Sequence, residues 1–216
     1  MSQLTPETVL DAYASGIFPM AESAESDSVF WVNPQRRGIL PLDKFHLPRR
    51  LARDLRAEKF EIRIDIAFEE VMRGCAEPNI NRTSTWINNS IIEIFAILFE
   101  RSVAHSVECW LNEELVGGLY GIALGGAFFG ESMFTRSRDA SKIALAHLVA
   151  RLIQGDYTLL DTQFVTEHLS RVGAIEISRA AYHRLLDRAM SSNADFYSLP
   201  TDTSGDDIVQ LVTQTS

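Results

Sequence analysis

"AHSVECWLNEELVGGLYGIALGGAFFGESMF", residues 104–134, is the stretch on which the fold turns. Three apolar-rich runs are joined by the polar turn at 112–114 and the glycine pair at 125–126, which reads as an antiparallel meander of three strands. Its least polar part, Leu115 to Gly130, is punctuated by glycines and shorter than the roughly 18 residues of a membrane-spanning helix. Near its end Glu131 places a carboxylate inside an apolar run. A buried ionised carboxylate without a partner is costly, so Glu131 requires either an internal cation, such as Lys142 or an arginine, or a ligand.

The rest of the chain can be built outward from this meander. Downstream, Asp139 as a possible N-cap opens a helix whose Ile143, Leu145, Leu148, Val149 and Leu152 suit packing on the sheet, with Gly155 as its stop. "YTLLDTQ" is the next strand, and two further helices start near Thr166 and Ser178. Upstream, Phe60, Ile62, Ile64 and Ile66 alternate with charged residues as a half-buried strand. Helices follow at about 68–75 and 90–100. The amino terminus gives a short helix with Thr5 as N-cap, Pro6 at its first position and Gly16 as its stop. An exposed loop at 21–29 and the extended "FWVNP" complete a unit too small to hold a core of its own. The domain reading is a small N-terminal domain at 1–36, a catalytic domain at 37–194 and a polar, partly disordered tail at 195–216.

With 216 residues, 46% hydrophobic and 23% charged, the chain can bury a sizeable core. The start shows no basic region followed by an apolar run, so no secretory signal is expected and the localisation reads as cytoplasmic. Cys75 and Cys109 lack metal-ligand spacing and read as reduced core thiols; no metal site is expected. The net charge of −9 argues against binding nucleic acid over the whole surface. Residues 36–59 nevertheless hold eight basic residues against three acidic ones. There a helix from Leu47 would put Leu47, Leu51 and Leu55 on one face and Arg49, Arg53 and Arg56 on the other, with Arg50 beside them. That face is either an ordinary solvated surface or a contact for a phosphate backbone.

A strand, two helices, an antiparallel meander, a helix and another strand make an α+β chain with helices covering a mixed, largely antiparallel sheet. The order suits the N-acetyltransferase-like (acyl-CoA N-acyltransferase) fold. Enzymes of that type hold a pyrophosphate on a glycine-rich turn at a helix N-terminus. Here the corresponding "TRSRDASK" has no glycine and carries Asp139, which disfavours coenzyme A.

"YASGIFPM", "TWI", "AHSVECW", "ELVGGLYGIALGGAFFGESMF", "DASKIAL", "LLDTQ" and "HLSRVGAIEISR", in this order from about Leu10 to Leu186, resemble the bacterial leucyl/phenylalanyl-tRNA–protein transferase family. The resemblance implies transfer of Leu or Phe, with Met as a further donor, from aminoacyl-tRNA to the N-terminal Arg or Lys of an acceptor protein, marking it for N-end rule degradation. It implies no cofactor, metal or membrane. The step is ester aminolysis. An α-amino group titrates near 7.7–8.0, so about a tenth is already neutral at pH 7, and placing amine and ester in attack geometry offers more than a strong base.

Asp161 and Gln163 are two apart on a strand and so share a face. In the family this pair is proposed to activate the acceptor amine; here Asp161 is assigned to holding the ammonium and Gln163 to orienting amine and ester, with Glu131 facing the same cleft. The family pattern maps the donor side-chain pocket to Leu119, Leu145, Leu148, Leu152 and Leu160, which core packing would explain equally well. Trp86 is the candidate for stacking the terminal adenine, with Tyr13 and Tyr120 at the entrance; Met20 stands where the family commonly has tryptophan. Arg49, Arg50, Arg53 and Arg56 are the candidate tRNA contacts. His105 and His168 read as structural. Alternatives are an acyl-CoA-dependent N-acyltransferase, an aminoacyl-tRNA–protein transferase for acidic N-termini, and a non-enzymatic adaptor on the same scaffold.

Overall fold

The computed structural model describes residues 4–26, 28–78 and 85–214. Residue 27 in the expected loop, residues 79–84 immediately before "TWI", and the chain ends beyond these limits lie outside the described residues. In chain order the elements are α1 (Pro6–Ala14), β1 (Phe18–Ala21), β2 (Val29–Val32), β3 (Arg36–Ile39), α2 (Arg49–Arg56), β4 (Glu61–Ile64), α3 (Phe68–Ala76), α4 (Asn89–Glu100), β5 (Ala104–Leu111), β6 (Glu114–Leu124), β7 (Ala127–Thr135), α5 (Ala140–Gln154), β8 (Leu159–Gln163), α6 (Glu167–Ser170), β9 (Ile175–Ser178), α7 (Arg179–Met190) and α8 (Gly205–Gln214).

The meander is formed by β5, β6 and β7, antiparallel throughout. It is the centre of a seven-stranded sheet in the order β4-β5-β6-β7-β8-β3-β9. Among the described residues the one parallel pairing is β7 with β8, joined over one face by α5. Helices cover both faces because the central strands are apolar on both sides. Phe128 belongs to the apolar cluster that includes residues of α2, α5 and α8, whereas its neighbour Phe129 belongs to the one that includes residues of α1, α3, α4 and α7. The protein is thus α+β with an open, mostly antiparallel sheet between two helical layers.

β7 and β8 keep their pairing only from Ala127↔Leu159 to Phe129↔Asp161. Beyond it β7 is bulged: Gly121 faces Gly130 and Tyr120 faces Ser132, leaving Glu131 as the extra residue. A bulge bends its strand and re-aims a side chain, and this one lies where the two parallel strands part. Gly121 permits that packing, since a Cβ there would lie 2.2 Å from the Phe129 carbonyl oxygen.

The structure departs from the sequence reading in several places. Helix α2 begins at Arg49, after Pro48, rather than at Leu47. Asp139 takes the expected N-cap position of α5, but in a left-handed conformation (φ 67°) and without a side-chain cap, its carboxylate turned instead to Arg50 and Lys142. Strands β3 and β9 are additional, and Arg36, at the end of the proposed N-terminal unit, already pairs with Ser178 in the large sheet. The supposed disordered tail is ordered through Gln214: α8 buries Ile208, Val209 and Val212 against the layer that holds α2 and α5. No helix among the described residues is long and apolar enough to cross a membrane.

Candidate active site

Where β7 and β8 separate, a cavity of about 310 Å³ opens. Its apolar part is lined by Leu119, Met133, Leu145, Leu148, Leu160 and Leu169, and a second wall by Phe18, Met20, Trp86 and Phe164. Between them lie Glu131, Thr162, Gln163 and His168. Strands β6, β7 and β8 therefore supply the middle of the cavity, α5 its leucine floor, and β1 together with the segment before α4 the opposite wall. This size and balance, mostly apolar with a few convergent polar groups, is that of a small-molecule or cofactor-end site.

The polar centre is built by a break in strand geometry. Gln163 ends β8 with φ 55°. Its N–H donates to Asp161 Oδ1 at 2.8 Å, an Asx-type turn, and the Phe164 N–H donates to the Thr162 carbonyl at 2.6 Å. The alternation of side chains fails at this residue, so Gln163 reaches the cavity that Leu160 and Thr162 line, whereas Asp161 does not. The expectation that Asp161 and Gln163 share a face is therefore corrected.

Asp161 is wholly buried and saturated. Arg37 Nε donates to its two oxygens at 3.0 and 3.1 Å, Arg37 Nη2 to Oδ2 at 2.5 Å, and Tyr182 Oη to Oδ2 at 2.7 Å. Arg37, 1% exposed, lies against the Phe18 and Tyr182 rings. Burial opposes its charge, but Asp161 more than compensates and raises its pKa. Burial first, then the Asp161 charge, pushes the Tyr182 hydroxyl far up.

Glu131 has the opposite surroundings. Its one hydrogen bond among the described residues is a long one of 3.5 Å from Gln163 Nε2. Tyr13 Oη, buried on α1, approaches it but makes no hydrogen bond of ordinary geometry. Burial, aided by the Asp161 charge and countered by Tyr13 and Arg37, lifts the Glu131 carboxyl to about 8. Lys142 is engaged elsewhere, 2.9 Å from Asp139 Oδ1, and is not its internal partner. His168 is pushed below its usual value by burial and by the cations Lys142 and Arg171.

A family model described as leucyl/phenylalanyl-tRNA protein transferase matches residues 39–187, and one for the N-terminal domain of the same proteins matches residues 2–35. The chain belongs to the leucyl/phenylalanyl-tRNA protein transferase family. Curated relatives bearing that name include one from Phenylobacterium zucineum, 56% identical over the whole of both chains, and one from Caulobacter vibrioides, 53% identical over 98% of each. A third, from Paramagnetospirillum magneticum, is 59% identical over 91% of this chain and 94% of its own.

Of the site residues expected from the sequence of this transferase family member, Glu131, Gln163, Trp86, Tyr120, Leu119, Leu145, Leu148 and Leu160 line one cavity. Leu152 lies in the core and Tyr13 lies behind Glu131; neither is among the lining residues. The arginines of α2 also lie away from the cavity: Arg50 pairs with Asp139, Arg56 with Asp206 at 2.9 Å, and Arg53 approaches Asp54 at 3.9 Å. His105 sits elsewhere, between Asp65 at 2.8 Å and the stacked ring of Phe196. Sequence reasoning missed Arg37 and Tyr182 as members of the site. Arg37 was counted in a basic surface run, and only the short apolar continuation "GIL" hinted that it enters a strand.

Proposed function

We propose that the cavity receives the aminoacylated 3′ end of a tRNA and transfers its Leu or Phe to the N-terminal Arg or Lys of an acceptor protein, an N-end rule modification. The single observation that carries the reading is the leucine-floored cavity closed by an under-bonded carboxylate at the β7–β8 split. The donor side chain would enter the floor formed by Leu119, Leu145, Leu148 and Leu160. The terminal adenine would lie on Trp86, with Met20 and Phe18 on the same wall; base–aromatic stacking contributes roughly 1–3 kcal/mol.

The amine then attacks the ester carbonyl. An N–C bond forms, the bond to the ribose 3′ oxygen breaks, and the proton lost by nitrogen ends on that oxygen. Glu131 is the group for this proton. Its pKa of about 8 matches that of an α-amine, so transfer between them is nearly balanced. Gln163, within reach of Glu131, orients the amine through its amide, a role in which basicity is not needed. This reading moves the ammonium contact from Asp161 to Glu131, because both Asp161 oxygens are already engaged.

The fold agrees with the N-acetyltransferase type through its parallel β7–β8 pair and the site between those strands. At the α5 N-terminus, where such enzymes hold a pyrophosphate, the Asp139 carboxylate lies between Arg50 and Lys142. That arrangement disfavours an acyl-CoA donor and needs no cofactor. It also joins Arg50 of α2 to the helix that floors the cavity, which supports placing the tRNA body along the α2 face that carries Arg49, Arg50, Arg53 and Arg56. The test is a parallel assay of Leu-tRNA and acetyl-CoA with peptides beginning in Arg, Lys, Asp or Glu. Transfer from tRNA to Arg and Lys peptides is expected; transfer from acetyl-CoA, or to acidic N-termini, overturns the reading.

A further inference from the structure

The Arg37 guanidinium, itself outside the cavity lining, contacts the segments that supply both sides of the cavity. On one side it donates from Nη1 to the Gly16 carbonyl at 3.1 Å and lies 4.4 Å from the Phe18 ring centroid. Gly16 ends α1, and Phe18 begins β1, the strand that supplies Phe18 and Met20 to the adenine wall. On the other side it holds Asp161, whose Oδ1 in turn accepts the Gln163 N–H. A residue other than glycine with positive φ is disfavoured unless its surroundings impose it, and the Asp161 turn imposes it on Gln163. Strand β3, which carries Arg37, runs tightly under this turn: a Cβ on Gly38 would lie 2.7 Å from the Phe164 carbonyl carbon.

We infer that Arg37 is a positioning residue for transfer, setting the Gln163 amide through Asp161 and the Phe18–Met20 wall through Gly16, and that Asp161 does not meet the substrate. The inference rests on the proposed role of Gln163. It also gives the N-terminal unit a function: α1 and β1 are keyed to the catalytic sheet by the same side chain that shapes its polar centre. The Tyr182 ring on α7 lies against both Arg37 and the Gly16 backbone, but its hydroxyl bonds Asp161 Oδ2, so removing the hydroxyl alone loosens only the Asp161 branch.

The two branches predict different kinetics. Tyr182→Phe should lower kcat about three- to tenfold while leaving KM for aminoacyl-tRNA near wild type. Arg37→Lys, which loses the forked contact with Asp161 and the contact with Gly16, should lower kcat further and also raise that KM several-fold. Both are read on protein shown to be folded by its urea midpoint; should Arg37→Lys not fold, Tyr182→Phe carries the test alone. In a Gln163→Ala background, Tyr182→Phe should cost no further kcat, because the group it positions is already gone. Additive losses in that background, or wild-type kcat in folded Tyr182→Phe, would overturn the inference. Failure of the functional reading looks different: Gln163→Ala would then transfer at the wild-type rate.

Discussion

Asp161 and Glu131 stand on adjacent strands at the mouth of one split, and they have been given opposite fates. Asp161 collects hydrogen bonds from Arg37, Tyr182 and the Gln163 backbone. Glu131 has one bond of 3.5 Å. Glu108 in β5 resembles Asp161: fully buried, it accepts from the Ile66 and Ala67 N–H groups, Ser106 Oγ and Trp110 Nε1. A saturated carboxylate has no capacity left for a ligand and holds backbone in place. An under-bonded one keeps that capacity at the expense of stability. The contrast supports the proposed chemistry at Glu131 and a structural role for Asp161.

The contrast is most severely tested by removing a partner. Arg37→Met would leave Asp161 charged, buried and short of donors, and should destabilise the protein by about 3–5 kcal/mol, read as a fall in the urea midpoint. A loss below about 1 kcal/mol would mean that Asp161 is not held as described.

Glu131→Gln should behave in the reverse manner. Transfer is expected to fall about 10²-fold, the lower range for losing a general acid–base group, while the fold is retained at pH 7. Unchanged turnover in single-turnover assays would remove Glu131 from the chemistry.

The same substitution has a pH signature. The Glu131 pKa is raised from 4.5 to about 8 in the folded protein, so the folded state favours the protonated carboxyl. Stability from this group is full below the unfolded value and is lost as pH rises through about 8. Glu131→Gln should therefore gain on the wild type between pH 5 and pH 9, by about 4 kcal/mol in urea unfolding. A difference independent of pH would show that Glu131 is ionised in the native state throughout.

The smallest effect concerns the surface that faces neither carboxylate. Neutralising Arg49 and Arg53 together should leave turnover at saturating donor near wild type and flatten the dependence of log Kd for tRNA on log salt by about 2. An unchanged slope returns α2 to an ordinary solvated face.

Much of this was legible before any coordinates. The meander, α5 and β8 follow from local periodicity and turn residues, and the leucine floor follows from the family pattern on α5 and β6. Helix α8 was not legible because only Ile208, Val209 and Val212 carry its buried stripe within a polar segment, which composition hides. Strand β3 was obscured by two arginines at its start, one exposed and one buried among aromatic rings.

The sequence by itself determined the family, the strand order of the meander, the apolar floor and the set of polar residues from which the site is drawn. Only the tertiary structure decided which of them line the cavity. Alternation along a strand reports on neighbours two residues apart, and it fails where Gln163 turns left-handed. The arginine that claims Asp161 lies 124 residues away in the chain, a pairing that no local pattern encodes. Glu131, the carboxylate for which the apolar run demanded a partner, has no ion pair among the described residues, because the folded chain spends Arg37 on Asp161 and Lys142 on Asp139.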